Sequence, residues 1–284
     1  MQEFAGRVAV VTGAASGIGK ALAERFAAEG MHLALADIEA EPLAAVTESL
    51  RAAGSAVEAM VLDVREGAAL EALAAKCAER FGGVHVVCNN AGVASGGPTW
   101  EVTPEDWDWV LGVNLVGVIN GVRAFVPGMI ARGEPGHVVN TASVAGLTCP
   151  AFMAPYNVTK HGVVALSETL RADLTAVQAP IGVSVLCPGW VRTRIHESDR
   201  NKPGYDPNGT EENPAMTPLR DLVRDMIESG IGPDEAANHV FAAIRADRFW
   251  IRTHPDMESG VAARCSAMAA GENPPLMVPS DIQS

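Results

Sequence analysis

The chain has 284 residues, of which 48% are hydrophobic, and its formal net charge is −13. That length allows one large domain or two small ones, and either could bury a sizeable core. An acidic chain without lysine or arginine runs repels phosphate backbones and anionic headgroups, so neither nucleic acid nor a membrane is expected as a partner.

Short apolar runs alternate along the chain with longer helical patterns rich in Ala, Glu and Leu. Strands that alternate with helices in this way indicate βαβ units and a parallel sheet. The pattern predicts a single α/β domain over residues 1–284, with helices on both faces of a doubly wound, mostly parallel sheet of about seven strands. Each strand should be apolar on both faces, because helices cover both sides. The predicted strands are residues 8–11, 33–36, 57–62, 84–88, 137–140, 183–187 and 249–252.

The first predicted strand runs directly into a glycine-rich turn, Thr12-Gly13-Ala14-Ala15-Ser16-Gly17-Ile18-Gly19, after which a helix begins. Glycine permits a tight turn and close backbone approach, and a helix N-terminus offers free N–H groups to a pyrophosphate. The glycine spacing differs from the usual dinucleotide fingerprint, and glycines also mark ordinary turns. The position between the first strand and the first helix nevertheless favours a dinucleotide site.

Asp37 closes the second predicted strand. An acidic residue there can accept hydrogen bonds from the adenosine ribose hydroxyls, although it could also simply begin a turn. No basic residue follows at Ile38, and Ser16 occupies the glycine turn. A ribose 2′-phosphate would meet a negative charge without a local partner, so the sequence predicts NAD as the cofactor.

Tyr156 and Lys160 are four residues apart, a spacing that places both side chains on one face of a helix. A free tyrosine has a pKa of about 10, and a nearby ammonium lowers that pKa by stabilising the phenolate. The pair is therefore predicted to act as a general acid/base closer to neutrality. Ser143 ends the fifth predicted strand, where its hydroxyl could hold a substrate oxygen or cap the strand end.

The glycine turn and Tyr156-Asn157-Val158-Thr159-Lys160 together resemble the short-chain dehydrogenase/reductase family over roughly residues 5–195. Further markers follow in the family's order: Asp63-Val64, Asn89-Asn90-Ala91-Gly92, Asn114, Ser143 and Pro188-Gly189-Trp190-Val191-Arg192-Thr193. The resemblance implies one Rossmann-type NAD-binding domain that assembles as a homodimer or homotetramer through the helices holding Asn114 and Tyr156. The chain departs from the family's commonest ending, which puts the tetramer in doubt and leaves a dimer plausible.

The resemblance also implies a role for each marker residue. The expected catalytic residues are Asn114, Ser143, Tyr156 and Lys160. Asn114 would distort its helix and hold a water that links the lysine to solvent. Asp63 and Val64 would lie beside the adenine, and Asn90 near the adenosine ribose. The remaining cofactor-binding residues are expected to be Gly13, Ser16, Gly17, Ile18, Gly19, Asp37, Ala91, Gly92, Pro188, Gly189, Val191 and Thr193, together with Tyr156 and Lys160.

Residues 192–232 contain a stretch dense in turn residues that interrupts the regular alternation, and they are predicted to form a substrate-binding loop or lid. The later part, residues 216–227, carries apolar residues at helical spacing, which indicates an amphipathic helix. This helix could belong to a mobile substrate lid or could be a surface helix packed permanently on the core. Residues 254–284 form a mixed tail, with a helix over 256–270. The substrate pocket is expected to be mostly apolar, and its predicted lining is Ala94, Ser95, Val144, Thr148, Cys149, Phe152, Met153, Trp190 and the loop after Thr193.

The five cysteines are scattered and form no C-x-x-C pair, and the histidines show no metal-ligand spacing. Neither a disulfide nor a metal site is expected. The N-terminus carries no basic segment followed by an apolar one, and no apolar stretch approaches a membrane span, so we expect a cytoplasmic protein.

The predicted function is NAD-dependent interconversion of a secondary alcohol and a ketone, with Tyr156 as general acid/base and a hydrophobic small-molecule substrate. The alternative is a dinucleotide-binding regulatory or scaffold protein without catalysis, because fold does not establish function. The complete set Asn114, Ser143, Tyr156 and Lys160 favours the enzyme, since a binding-only protein has no need of it.

Overall fold

The computed structural model describes residues 1–206 and 217–278. Its seven strands form one sheet in the order β3-β2-β1-β4-β5-β6-β7, and every neighbouring pair is parallel. The predicted doubly wound α/β fold is confirmed, with a sheet that is fully rather than mostly parallel. The strands are β1 (Val8–Thr12), β2 (His32–Asp37), β3 (Val57–Val61), β4 (Val86–Asn89), β5 (Gly136–Thr141), β6 (Ile181–Cys187) and β7 (Trp250–Arg252).

Helices cover both faces of the sheet. Helices α1, α2 and α8 pack on one face, and α3, α5 and α6 pack on the other. The helices are α1 (Gly17–Ala28), α2 (Ala40–Ala52), α3 (Gly67–Phe81), α4 (Pro104–Leu111), α5 (Gly117–Arg132), α6 (Ala154–Ala176), α7 (Thr217–Glu228), α8 (Pro233–Ala246) and α9 (Glu258–Ala270).

The central strands are apolar on both faces, as predicted, but the edge strands are not. In β1, Ala9 and Val11 belong to one layer of the core and Val10 belongs to the other, because successive side chains point to opposite faces. At the edges, Val61 in β3 is 53% exposed and Trp250 in β7 is 37% exposed. Each edge strand has a neighbour on one side only, so helices cover it incompletely.

Helix α4 continues through a π-helical turn, Gly112–Val116, into α5. Together they form a helical run of 29 residues, Pro104–Arg132, that is long and apolar enough to cross a membrane. The expectation that no apolar stretch approaches that length is therefore wrong. However, 56% of its most apolar window is buried inside the fold, as in the core helix of a globular protein.

The chain after β6 is less regular than the chain before it. A 3₁₀ segment, Ile195–Asn201, follows the sheet, and the predicted amphipathic helix forms as α7. Of the apolar residues predicted for this helix, Met216 lies outside the described residues, as does part of the turn-rich stretch. The predicted tail helix is also present, as a short 3₁₀ turn, Pro255–Met257, followed by α9.

Candidate active site

A cleft of about 610 Å³ opens at the carboxyl ends of the strands, next to β1 and β4, between which the strand order reverses. In an open α/β sheet, a ligand site forms at the point where the strand order reverses, because the connections leave to opposite sides. All the predicted site residues line the cleft except Gly19 and Asn114, which lie behind its surface.

The glycine turn forms one end of the cleft, and two of its glycines adopt left-handed backbone conformations that favour glycine. Gly13 has φ 67°, and a Cβ there would lie 2.8 Å from Cα of Ala91. Gly17 has φ 51°, and its Cβ would lie 2.9 Å from Cγ2 of Thr193. Ser16 precedes α1 and makes no side-chain cap bond. The N-terminus of α1 therefore faces the cleft with N–H groups that no capping side chain occupies, an arrangement suited to an anion.

Asp37 lies beside this turn at the end of β2. Its Oδ2 accepts a hydrogen bond from Ala15 N at 2.8 Å, and its Oδ1 accepts one from Glu39 N at 3.0 Å. Burial raises the pKa of this carboxyl group, while the backbone hydrogen bonds act in the opposite direction. The two bonds fix a carboxylate at the cleft wall, the geometry expected for a ribose-binding group.

Other cleft residues that are predicted to bind the cofactor also form hydrogen bonds or ion pairs within the protein. The Nδ2 of Asn90 donates to Thr12 O at 3.0 Å, so this side chain ties β4 to β1 as well as lining the cleft. Asp63 forms an ion pair with Arg65, with Nη2 and Oδ2 separated by 2.6 Å. Arg65 also lines the cleft and was not predicted to do so.

Tyr156 and Lys160 lie on α6, and both are buried at the base of the cleft. Lys160 Nζ donates to Thr141 O at 2.9 Å and lies 5.4 Å from the centroid of the Tyr156 ring. The Ser143 hydroxyl is hydrogen-bonded to the Tyr156 phenol. Tyr156 and Lys160 therefore share one face of α6, as their spacing predicts, and Ser143 lies beside them.

Burial is the main cause of the pKa shifts of both Tyr156 and Lys160. It lowers the pKa of Lys160 from 10.5 to about 8 and raises the pKa of Tyr156, although the Ser143 hydrogen bond works in the opposite direction for the tyrosine. The expectation of a lowered tyrosine pKa is therefore wrong for this structure. The physical reason is that desolvation disfavours the charged forms of both groups.

Asn114 lies in the π-helical turn between α4 and α5, so the helix is irregular where the resemblance required it to be. Its side chain is fully buried. Its Oδ1 accepts from Val93 N at 2.8 Å, while Nδ2 donates to Val93 O at 2.9 Å and to Thr159 Oγ1 at 3.3 Å. The residue ties the segment after β4 to α6, next to Lys160.

The outer side of the cleft comes from the second half of the chain. Val223, Met226 and Ile227 of α7 line it, and so do Met257 and Met277 from the tail. The tail is anchored by a hydrogen bond from Ala151 N to Met277 O at 2.9 Å. Neither methionine was predicted, because nothing local in the sequence marks such a long-range contact.

The predicted substrate lining is only partly correct. Ala94, Val144, Thr148, Met153 and Trp190 line the cleft, whereas Ser95, Cys149 and Phe152 do not. Trp109 is buried in an apolar cluster and also lines the cleft.

The arginines that line the cleft carry carboxylate partners. Arg65 pairs with Asp63, Arg194 with Glu197 and Arg200 with Glu39. The last pair joins residues 161 positions apart, with Arg200 Nη2 and Glu39 Oε2 separated by 2.7 Å. Within the described residues, no group of three or more His, Cys, Asp or Glu side chains could hold a metal ion.

A family model described as short chain dehydrogenase matches residues 7–204, which include the glycine turn, Asn114, Ser143, Tyr156 and Lys160. The chain belongs to the short-chain dehydrogenase family. It is therefore an oxidoreductase of that family, whose dehydrogenases act on small-molecule substrates.

Several short-chain dehydrogenases resemble this chain over most of its length. The 1-deoxy-11-beta-hydroxypentalenate dehydrogenase of Streptomyces avermitilis is 39% identical over 88% of this chain and 86% of its own. The C alpha-dehydrogenase of Sphingobium sp. strain SYK-6 is 33% identical over 94% of this chain and 87% of its own length. The crystal structure of a short-chain dehydrogenase/reductase from Burkholderia phymatum in complex with NAD has a TM-score of 0.93 and 43% identity, covering 97% of this chain and 98% of that one.

Proposed function

We propose that this short-chain dehydrogenase interconverts a secondary alcohol and a ketone by direct hydride transfer involving NAD, with Tyr156 as general acid/base. The observation that carries the proposal is the meeting of Ser143, Tyr156 and Lys160 in one cleft with the glycine turn, with Asn114 bonded directly behind them.

The cleft has the features that a dinucleotide requires. The N-terminus of α1 would hold the pyrophosphate, Asp37 the adenosine ribose, and Thr193 with its neighbours the nicotinamide amide. When bound, NAD supplies the carbon that accepts or gives the hydride. The Asp37 carboxylate favours NAD over NADP through charge repulsion, and the Burkholderia phymatum structure, similar over nearly the whole chain, is a complex with NAD.

Tyr156 transfers the proton to or from the substrate oxygen. Because burial raises the pKa of its phenol, the group is protonated at neutral pH and can donate to the oxygen of a ketone that is being reduced. In the reverse direction it accepts the alcohol proton. Ser143 would hold the substrate oxygen beside the phenol, and Lys160 would hold positive charge next to the phenolate as it forms. Asn114 would keep the segment after β4 and α6 in register.

The substrate is proposed to be neutral and largely apolar. The substrate end of the cleft carries Trp109, Met153, Trp190, Met257 and Met277, and methionine side chains adapt to irregular apolar shapes. The arginines of the cleft have carboxylate partners, so a substrate carboxylate would have to displace one of them. We propose that residues 195–206 and 217–232 belong to a lid over this end, with the α7 residues that line the cleft facing the substrate.

A screen for NADH formation from NAD and secondary alcohols of graded bulk, including aryl, cyclic and steroid alcohols, tests this function. We expect turnover that rises with the apolar area of the alcohol and is lost in Tyr156→Phe. NAD binding without turnover of any alcohol or ketone in the panel would favour the binding-only alternative instead.

A further inference from the structure

The ion pair between Glu39 and Arg200 lies in the cleft beside the proposed ribose-binding carboxylate. Glu39 follows Asp37 by two residues and donates its own N–H to Oδ1 of Asp37 at 3.0 Å. Its two carboxylate oxygens accept from Nε and Nη2 of Arg200 at 3.1 and 2.7 Å. Asp37, Glu39 and Arg200 all line the same cleft.

The guanidinium of Arg200 is held by its own segment as well as by Glu39. Its Nη1 donates to the carbonyl oxygens of Arg194 and Glu197 at 3.0 and 2.9 Å. These bonds aim the other edge of the guanidinium, Nε and Nη2, towards the end of β2. A planar guanidinium presented edge-on is the group that best matches a phosphate.

The pair is charged and largely shielded from solvent. The side chains of Arg200 and Glu39 are only 23% and 18% exposed. The hydrogen bond from Arg200 lowers the pKa of Glu39, so the carboxylate remains ionised at neutral pH.

We propose that Glu39 determines cofactor choice by occupying Arg200, which would otherwise bind the 2′-phosphate of NADP. This inference rests on the proposed dinucleotide site and adds a second determinant to Asp37. The sequence next to Asp37 and in the glycine turn offers no basic partner for a 2′-phosphate. The fold supplies one from the segment after β6, and Glu39 neutralises it.

A second ion pair on the same segment provides a matched control. Lys202 Nζ lies 2.8 Å from Asp106 Oδ1, so it tethers the segment to α4 on the other side. Neither residue lines the cleft. Removing this pair loosens the same segment without freeing Arg200.

Isothermal titration calorimetry of the full chain with NAD⁺ and NADP⁺ separately tests the proposal without any turnover. We expect Glu39→Gln to shift the ratio of the two dissociation constants towards NADP⁺ by about tenfold, the scale of one hydrogen bond gained by a charged group. In Arg200→Gln, adding Glu39→Gln should leave the ratio within about twofold, and Asp106→Asn alone should do the same in the native chain. Circular dichroism of each variant verifies the fold.

An unchanged ratio in Glu39→Gln would overturn the proposal. A tenfold shift that persists when Arg200 is also replaced would overturn it too, since Glu39 would then repel the phosphate directly. If the native chain bound neither dinucleotide, the proposed function itself would fail, and that result is seen before any variant is made.

Discussion

The two walls of the cleft are built differently. The strand-end wall, defined as residues 12–19, 89–93 and 141–160, is held mainly by buried or partly buried hydrogen bonds, such as those of Asn114 with Val93 and Asn90 with Thr12. The outer wall, defined as residues 195–202, α7 and residues 255–278, is joined to the rest of the fold by partly exposed ion pairs, by a hydrogen bond from Ala94 N to Ser198 Oγ and by the backbone bond of Met277 to Ala151.

This difference suits one wall to the reaction itself and the other to the choice of ligand. Buried hydrogen bonds are costly to break, so the strand-end wall keeps the reacting groups in one geometry. Partly exposed ion pairs are individually weak and easily remade, so the outer wall can change its contacts without disturbing the sheet. We infer that turnover depends on the first wall, and that the second wall, together with Asp37 and Glu39, governs the choice of substrate and cofactor.

Replacing Tyr156 by Phe should have the largest effect on activity. The ring is kept and the proton donor is lost, so kcat should fall by at least about 100-fold, the usual scale for a general acid/base group. Binding of NAD⁺, measured by calorimetry, should stay within about twofold. Near-normal turnover of an alcohol found in the screen would refute the role of the phenol.

Asn114→Leu should damage the strand-end wall most. The substitution leaves the N–H and carbonyl of Val93 without their side-chain partner, and it should lower the free energy of unfolding by about 3 kcal/mol. Urea unfolding measures this change. Asn120→Leu in α5, which loses buried bonds to the carbonyls of Val64 and Arg65, is the control. Both variants should lose stability, but only Asn114→Leu should lower kcat. Equal turnover in the two folded variants would restrict Asn114 to a structural role.

Lys160→Met should stabilise the protein at pH 7 while abolishing turnover. Because the pKa of Lys160 is about 8 in the folded state and about 10.5 when unfolded, the unfolded chain binds more protons between these values. Native stability therefore rises with pH across that window. The shift corresponds to about 3 kcal/mol, less about 1 for the lost bond to Thr141, so the variant should gain about 2 kcal/mol at pH 7.

That gain should shrink as the pH rises from 8 towards 10.5, when the native lysine loses its charge. Lys20→Met, at an exposed position of α1, should change stability by less than about 0.5 kcal/mol at either pH. A Lys160→Met variant less stable than the native chain at pH 7 would contradict the claim that burying this ammonium is costly.

Asp106→Asn should have the smallest effect on stability, below about 1 kcal/mol, because its pair with Lys202 is partly exposed. Hydrogen exchange over residues 195–206 should nevertheless become faster, while exchange in β4 and β5 stays unchanged.

In the native chain, residues 195–206 and 217–227 should gain protection only when NAD and substrate are both bound. Strong protection of residues 217–227 without ligand would exclude a mobile lid.

The strand-end wall could be predicted from sequence because its parts are local signals. The glycine turn follows a strand, Tyr156 and Lys160 share a helical spacing, and an asparagine in the middle of a helix calls for an explanation. The outer wall could not be predicted, because its contacts join distant residues. Arg200 contacts Glu39, and Met277 contacts Ala151, only once the whole chain has folded. Burial also reversed the expected shift in the pKa of Tyr156, since spacing shows which groups are neighbours but not how far they are desolvated.

Transfer of a label tests the central claim most directly. A secondary alcohol from the screen, deuterated at its carbinol carbon, would be oxidised with NAD⁺ in ordinary water, and the reduced dinucleotide analysed by mass spectrometry. Direct hydride transfer predicts one deuterium in each NADH formed, together with a slower chemical step than for the unlabelled alcohol. NADH without deuterium would show that the hydrogen passes through solvent-exchangeable groups and would contradict the mechanism.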